Sequence, residues 1–541
     1  MPSEPYSEAV QAFDWLTVQQ ALGWKPGENV SLGTSIVDRH ASSERIALIC
    51  IDRDGGERHL SYRELSEQSN RFANLLRQLG VEAGDRVAGL MPRGAEVIIT
   101  IIGTLKLGAI YVPIFTGFGP DSIRFRLDHC EAKILVTHQD VRKQLPPGLR
   151  IRTICVSRPD VALPDDDVDF ARELRQQPAE FPCVLRARED IATLIYTSGS
   201  TGQPKGGAIA VNFLASIWPY AVYGLDLRRD DIFWPTGDPG WGYGFVCYLI
   251  ALAAGATVVS VQQNPTAELS MAILQRYRVT NLATTPTLLR SMLVLDDEVL
   301  RAADVRLHAL SSCGEPLNAK VVESFQRLWG VTPMDHFGAT ELAIPVGNFN
   351  AIAMNVKPGS MGLPFPGFNM AIVDDDGNER PAGEVGYIGK RMSVDCLYWT
   401  GYWRDPAASS GLLRRGWIVT GDLGRRDPDG YFWFEGRAGD MIKSAGYRIG
   451  PFEVESALLK HPAVAEAAVV GKPDALRGEI VKAFVVLRPG LSGDDELAEE
   501  LTLLVKQAVG GHQAPRAIEF VDSLPKTETG KIQRFALRER P

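Results

Sequence analysis

The chain is poor in the residues that build metal and disulfide sites. Its 541 residues include only seven cysteines and eight histidines. Cys50, Cys130, Cys155, Cys183, Cys247, Cys313 and Cys396 are widely spaced, odd in number, and form no Cys-x-x-Cys pair. That pattern argues against a disulfide scaffold and fits reduced thiols in a cytoplasmic compartment. No His-Glu-x-x-His run occurs, and no zinc site is apparent. Uninterrupted apolar stretches of membrane length are also missing. The longest, Val97 to Phe115, is broken by Gly103, Lys106, Gly108 and Pro113, and reads as a buried helix followed by a strand. Met1 to Leu16 holds acidic residues and no basic segment leading into an apolar one, so no signal peptide is expected. Basic charge is not in excess: 57 Lys and Arg against 66 Asp and Glu leave −9. Nucleic acid and anionic membrane are therefore poor partners. An anionic small molecule is not excluded, because a local site can be positive. No internal repeat is found.

What is present is the composition of a globular protein, 45% hydrophobic and 23% charged, at a length that implies two or more domains. Residues up to about 45 read as a helical lead-in. Ile46–Ile51 is a strand pattern, and Ser61-Tyr-Arg-Glu64 fits a capping box that opens a helix to about Gly80. Asp85–Met91, Ala109–Pro113, Ile134–Thr137 and Ile151–Val156 are strand patterns separated by helical ones. The alternation predicts an α/β fold with mostly parallel, helix-covered sheets. Arg158 to Cys183, richer in Pro and Asp, reads as a solvated surface connection. Ala254–Val261 and Asn281–Thr285 are expected strands, and Asp427-Pro-Asp-Gly-Tyr431 a hairpin turn. Beyond about residue 450 a small α/β unit follows, with helices over Pro451–Leu459 and Asp494–Val509 and strands over Val464–Val470 and Val481–Leu487.

The most informative stretch is Tyr196-Thr-Ser-Gly-Ser-Thr-Gly-Gln-Pro-Lys-Gly206, which follows the apolar run Ile191–Ile195. Gly199 and Gly202 let successive N–H groups converge on an anion. Thr197, Ser198, Ser200 and Thr201 add hydroxyl donors, and Lys205 adds a compact positive charge. The combination points to polyphosphate binding, although a flexible surface loop can share this composition. A Walker loop is excluded, because no hydroxyl residue follows the lysine. Downstream, Trp234-Pro-Thr-Gly-Asp-Pro-Gly-Trp241-Gly242-Tyr-Gly-Phe245 sets glycines between aromatics, as a pocket wall or as ordinary core with turns.

The 196–206 stretch resembles the phosphate loop of the adenylate-forming superfamily, which comprises acyl-CoA synthetases, luciferases and peptide-synthetase adenylation domains. Further segments resemble that family's motifs in its order, and the resemblance covers essentially the whole chain. Ser311-Ser-Cys-Gly314-Glu315-Pro316 is similar to the loop along adenine and ribose. Asp335-His336-Phe337-Gly338-Ala-Thr340-Glu341 is similar to the signature that follows it. Phe337 offers a stacking face for a purine, Thr340 a donor to the α-phosphate, and Glu341 an oxygen ligand for Mg²⁺. Trp241, Gly242 and Gly338 fall where the family lines its acyl pocket. Acetate-restricted synthetases carry tryptophan where Gly338 stands, so an acid larger than acetate is expected. A purely backbone need for glycine is the alternative. Asp422 matches the ribose-binding aspartate and Arg437 the arginine that contacts ribose or phosphate. Residues 437–440 resemble the family's hinge, with Gly439 where Asp or Lys is usual. Ser444, Gly446 and Tyr447 fall on a loop that approaches the CoA tunnel, and Arg477 where CoA phosphates are met, although a solvated surface role fits Arg477 nearly as well. Lys531 resembles the mobile catalytic lysine.

The resemblance implies a large N-terminal domain over 1–436 and a small mobile α/β domain over 441–541. It implies an AMP-forming carboxylate–CoA ligase using ATP, Mg²⁺, CoA and a small carboxylic acid, as a monomer or small homo-oligomer. A stand-alone enzyme loading a carrier protein is the nearest alternative. A luciferase-type oxygenase and a nucleotide-binding regulator without catalysis are more distant.

Overall fold

Two large sheets and the helices buried between them are built from the alternating patterns of the first 400 or so residues. The computed structural model describes residues 4–158, 163–164, 166–197, 203–444, 447–474, 477–526 and 532–540. One sheet has eight strands. Ile191–Thr197, Ile110–Ile114, Arg86–Leu90, Ile134–His138, Arg152–Val156 and Val168–Asp169 run parallel, and Lys205–Ala210 and Trp399–Tyr402 extend one edge antiparallel. The other has nine. Its parallel part runs from Met334–Ala339 through Ala309–Cys313, Asn281–Thr284, Ile232–Pro235 and Thr257–Val261 to Ile46–Ile51. A single apolar core joins residues of both sheets with the helices Tyr62–Gln78, Ala95–Lys106 and Gly242–Ala254. Strands covered on both faces explain why these segments read as apolar runs.

Local rules place several elements where the sequence predicts them. Ser61 and Glu64 make both bonds of the capping box, the Glu64 N–H to Ser61 Oγ at 3.2 Å and the Ser61 N–H to Glu64 Oε2 at 2.7 Å. The broken apolar stretch is the helix Ala95–Lys106 followed by the strand Ile110–Ile114. Lys106 is fully buried there, and Asp38 and Asn70 each accept from its Nζ at 2.6 Å. None of the seven cysteines forms a disulfide. No helix among the described residues is long and apolar enough to cross a membrane.

Two expectations are corrected, and one sheet is added. The 158–183 connection contains the strand Val168–Asp169 and the helix Phe170–Gln176, capped by Asp169 and anchored by buried Phe170 and Leu174. The Pro- and Asp-rich composition masked that apolar i,i+4 pair. Ala254 ends a helix, and the strand begins only at Thr257. Finally, a third sheet is wholly antiparallel: Met370–Val373, Gly386–Arg391, Leu413–Arg414, Trp417–Arg426 and Phe432–Arg437. The sequence reading had only its last hairpin. The fourth sheet is the predicted small α/β unit, with strands from Ile442 to Phe520, the helices Pro451–Leu458 and Asp495–Ala508, and a core of its own.

Candidate active site

A cleft of about 1310 Å³ opens where the large sheets, the antiparallel sheet and the C-terminal unit meet. Its volume exceeds the roughly 300–1,000 Å³ typical of a pocket for one small ligand. The cleft sits at strand ends, the usual ligand position in open α/β sheets. Ile191–Thr197 brings Thr197 to its edge, and Lys205 stands at the start of the returning strand. Ala309–Cys313 hands over to Gly314 and Glu315, and Met334–Ala339 to Thr340 and Glu341. The antiparallel sheet contributes Asp422 and Arg437, directly opposed on neighbouring strands. Trp241, Gly242 and Gly338 complete the sequence-selected residues that line this cleft.

The polar groups are held in place rather than loosely arrayed. Glu341 is buried, and the Tyr402 hydroxyl donates to its Oε1 at 2.6 Å. Burial pushes its carboxyl above the usual range, opposed by that hydrogen bond. Lys205 Nζ lies 5.2 Å from the centre of the Tyr402 ring, so one tyrosine touches both the acid and the cation. Asp422 accepts from Thr420 Oγ1 at 2.9 Å and stands 3.2 Å from Arg437 Nε. Glu315 accepts from Thr287 at 2.8 Å and from Arg290 at 2.7 Å. Gly314 has φ +97, a conformation that L side chains rarely adopt, and it allows the turn into Glu315. A Cβ on Gly207 would lie 2.8 Å from the Thr340 methyl, so glycine there leaves room for the Thr340 side chain.

One side of the cleft is aromatic. Phe115 and Phe118 stand 5.7 and 5.9 Å from Trp241, ring centre to ring centre. Trp241 Nε1 is buried without a hydrogen-bond partner. Gly338 is close-packed: a Cβ there would lie 2.5 Å from the Ala343 carbonyl oxygen and 2.9 Å from Ile344 Cγ1. The backbone alternative for this glycine therefore has direct geometric support, alongside its place on the cleft wall.

Other sequence-selected residues stand away from the cleft lining. Asp335 is buried beneath it and accepts from the Leu317 N–H at 3.4 Å. His336 is buried, with Nε2 2.9 Å from the Asn348 carbonyl and its ring edge-on to Tyr220. Burial lowers its pKa to about 4, which keeps it neutral. The Phe337 ring centre lies 6.5 Å from that of Phe434, and Pro316 is half-buried. Ser444 is buried and pairs with Gly478. Tyr447 opens the strand Tyr447–Ile449, and the Arg477 N–H bonds to Asp474. Ser198, Gly199, Ser200, Thr201, Gly202, Gly446 and Lys531 lie outside the described residues.

The structure adds lining residues that sequence reasoning missed. Arg93 approaches buried Asp238, Nη2 to Oδ2 at 3.8 Å, across a sequence gap that no local pattern bridges. Asp238 sits inside the Trp234–Phe245 stretch, already notable for glycines and aromatics, and Tyr402 reaches the cleft from the strand Trp399–Tyr402. Gln533 lines the cleft from the C-terminal unit.

One carboxylate near the interface of the two units gives a pH prediction. Glu435 is buried, and burial together with the charge of Glu453 raises its pKa to about 7, against Arg425 at 2.8 Å. An acid whose folded pKa is raised contributes stability in full below the unfolded value, and loses it as pH rises towards the folded one. The Glu435 contribution should therefore fall between about pH 4.5 and 7. Thermal denaturation of Glu435→Gln across this window should show a shallower decline than the parent. An unchanged slope would contradict the assignment.

Comparison with known proteins agrees with this geometry. The family model described as AMP-binding enzyme matches residues 37–393, and that of its C-terminal domain matches 453–531. The acetyl-coenzyme A synthetase of Bacillus subtilis is 36% identical over 98% of this chain and 94% of its own length. A mitochondrial acyl-coenzyme A synthetase of Mus musculus is 35% identical over 95% and 91%. Among solved structures, an acyl-CoA synthetase from Brucella canis superposes with TM-score 0.79 at 39% identity, covering 99% of this chain and 98% of that one. A benzoate CoA ligase from Burkholderia xenovorans superposes with TM-score 0.84 at 30% identity, covering 94% and 100%. Both halves of the family pattern, the shared fold and a cleft lined by several of the motif residues agree, and the chain belongs to the AMP-binding enzyme family, alongside its AMP-forming acyl-CoA synthetases.

Proposed function

We propose that this enzyme is a carboxylate–CoA ligase that forms an acyl-adenylate from ATP and an acid larger than acetate, then passes the acyl group to CoA. The observation that carries this reading is the convergence on one cleft of Lys205, Thr340, Glu341, Asp422 and Arg437 with an aromatic wall at Phe115, Phe118 and Trp241. A carboxylate oxygen attacks the α-phosphorus of ATP, the bond to the bridging oxygen breaks, and pyrophosphate leaves. Both reactants are anionic, so positioning and charge neutralisation are what the protein can supply. Asp422 accepts from the ribose hydroxyls, with Thr420 and Arg437 fixing its orientation. Thr340 donates to the α-phosphate, Lys205 and the 197–206 loop hold the β- and γ-phosphates, and Lys531 neutralises charge on the α-phosphate and the bridging oxygen. The CoA thiol then attacks the acyl carbonyl, and AMP leaves.

Mg²⁺ fits the residues present. No group of three or more His, Cys, Asp or Glu among the described residues could cage a metal. Glu341 is a buried carboxylate on the cleft with only one oxygen engaged by Tyr402. This suits a hard ion that shares its ligands with phosphates and water. When bound, it supplies charge neutralisation on the polyphosphate.

Residues 1–436 form the nucleotide and acyl domain, and 441–541 the domain that brings Lys531 in for adenylation. It then presents Ser444, Gly446 and Tyr447 for thioester formation, with Arg477 towards CoA phosphates. Gln533 on the cleft lining supports the adenylation arrangement.

Pyrophosphate release measured with ATP and Mg²⁺ over acetate, butyrate, hexanoate, octanoate and benzoate, each with and without CoA, tests the reading. Turnover that requires CoA and peaks at a longer or aromatic acid is expected. A peak at acetate would remove the size argument. Release indifferent to CoA would point instead to a carrier protein as acceptor.

A further inference from the structure

The last helix, Arg534–Glu539, follows directly on Gln533, which lines the cleft. Two arginines one turn apart fasten it, and the two fastenings differ in kind. Arg534 Nη2 donates to both oxygens of Glu455 at 2.8 Å. Glu455 is buried and also accepts the Val469 N–H at 2.8 Å. This pair lies wholly within the C-terminal unit, and its carboxylate is buried. Arg538 reaches elsewhere: it forms an ion pair with Asp440 and donates to the Gly439 carbonyl at 3.3 Å. Lys472 Nζ donates to the Arg538 carbonyl at 2.7 Å, and Leu537 is buried below, so the helix is a firm base for that reach.

Gly439 and Asp440 are the connection between the two units. The Ala438 N–H still bonds to the Gly421 carbonyl of the antiparallel sheet at 2.9 Å. The Asp440 N–H turns back on the Arg437 carbonyl at 2.8 Å, and the next strand starts at Ile442. Gly439 has no side chain, and a Cβ there would meet nothing within 4 Å. The Met441 N–H also reaches the Arg437 carbonyl, at 3.1 Å, so the connection leaves as a closed turn, and a glycine in open space has the widest backbone freedom to leave it. A further restraint comes from the far end of the sequence. The Arg538 and Asp440 side chains are 34% and 24% exposed, so the pair is wet and weak enough to be broken and remade in each cycle.

We propose that Arg538, acting through Asp440 and the Gly439 carbonyl, is a positioning residue that latches the connection in the orientation holding the C-terminal segment against the cleft for acyl-adenylate formation. The latch opens for thioester formation. The inference rests on the ligase reading above, and its test separates the two.

Two half-reactions are measured in the full-length enzyme: acid-dependent pyrophosphate release without CoA, and thioester formation from supplied acyl-AMP and CoA. Arg538→Ala should slow the first about fivefold and leave the second unchanged or faster. Arg538→Lys, which keeps the charge, should recover part of the loss. Asp440→Asn should show the same split, and the double variant should be no slower than either single one, because both remove one interaction. Parallel loss in both half-reactions, no change in either, or losses that multiply in the double variant would overturn the latch. If the wild-type enzyme releases pyrophosphate with no acid, the ligase reading falls and the latch with it.

Discussion

Lys531→Ala should lower acid-dependent pyrophosphate release about 100- to 1000-fold, the usual cost of removing one donor aimed at developing transition-state charge. Thioester formation from supplied acyl-AMP should stay near the wild-type rate. The asymmetry follows from where charge develops. Attack of a carboxylate on the α-phosphate gathers negative charge on the α-phosphate and bridging oxygens, where an ammonium group acts most strongly in a water-poor cleft. Attack of a thiol on the acyl-adenylate releases AMP from an uncrowded carbonyl and has no such need at that atom. Half-reaction kinetics by rapid quench decide the matter. Equal loss in both steps would remove the division of labour between the two orientations of the C-terminal domain.

Gly338→Ala is expected to lower adenylation about 100-fold for acetate, octanoate and benzoate alike, the scale of a 1 Å misplacement at a reacting centre. The added methyl would stand 2.5 Å from the Ala343 carbonyl, so the backbone must move. Ala343 already has φ +65, and the Leu342 N–H holds the turn to the Ala339 carbonyl at 3.0 Å. The displaced segment carries Thr340 and Glu341, so in the proposed mechanism the phosphate end of the reaction suffers whatever the acid. If Gly338 only makes room for bulk, acetate would be spared and the larger acids lost. kcat/KM for the three acids separates the two outcomes.

Much of this site was legible from sequence because its motifs are local. In the sequence an apolar run, a stretch rich in glycine and hydroxyl residues and a lysine follow one another over 191–206. Gly314, Glu315, Thr340 and Glu341 each follow a strand by one or two residues. Tertiary contacts were not legible in the same way. Gly242 and Gly244 look like turn residues but open the helix Gly242–Ala254, and Gly244 is glycine because a Cβ would strike the Asp238 backbone. In the antiparallel sheet of 370–437, Gly386–Arg391 pairs with Trp417–Arg426 across intervening elements, which local periodicity does not encode. His336 has the residue type of a catalytic base. Its burial against Tyr220 and the Asn348 carbonyl, invisible in sequence, leaves it neutral below the cleft. Arg93 carried no signal, because its partner Asp238 is adjacent only in the folded chain.

The central claim is that the carboxylate attacks the α-phosphate. The most direct measurement uses an acid labelled with ¹⁸O in both carboxylate oxygens, turned over with ATP, Mg²⁺ and CoA, followed by mass analysis of the phosphate products. The account predicts one labelled oxygen in AMP, because the attacking oxygen stays on the α-phosphorus when the thiol takes the acyl group. Label in inorganic phosphate with ADP as the partner product, or AMP free of label, would contradict it.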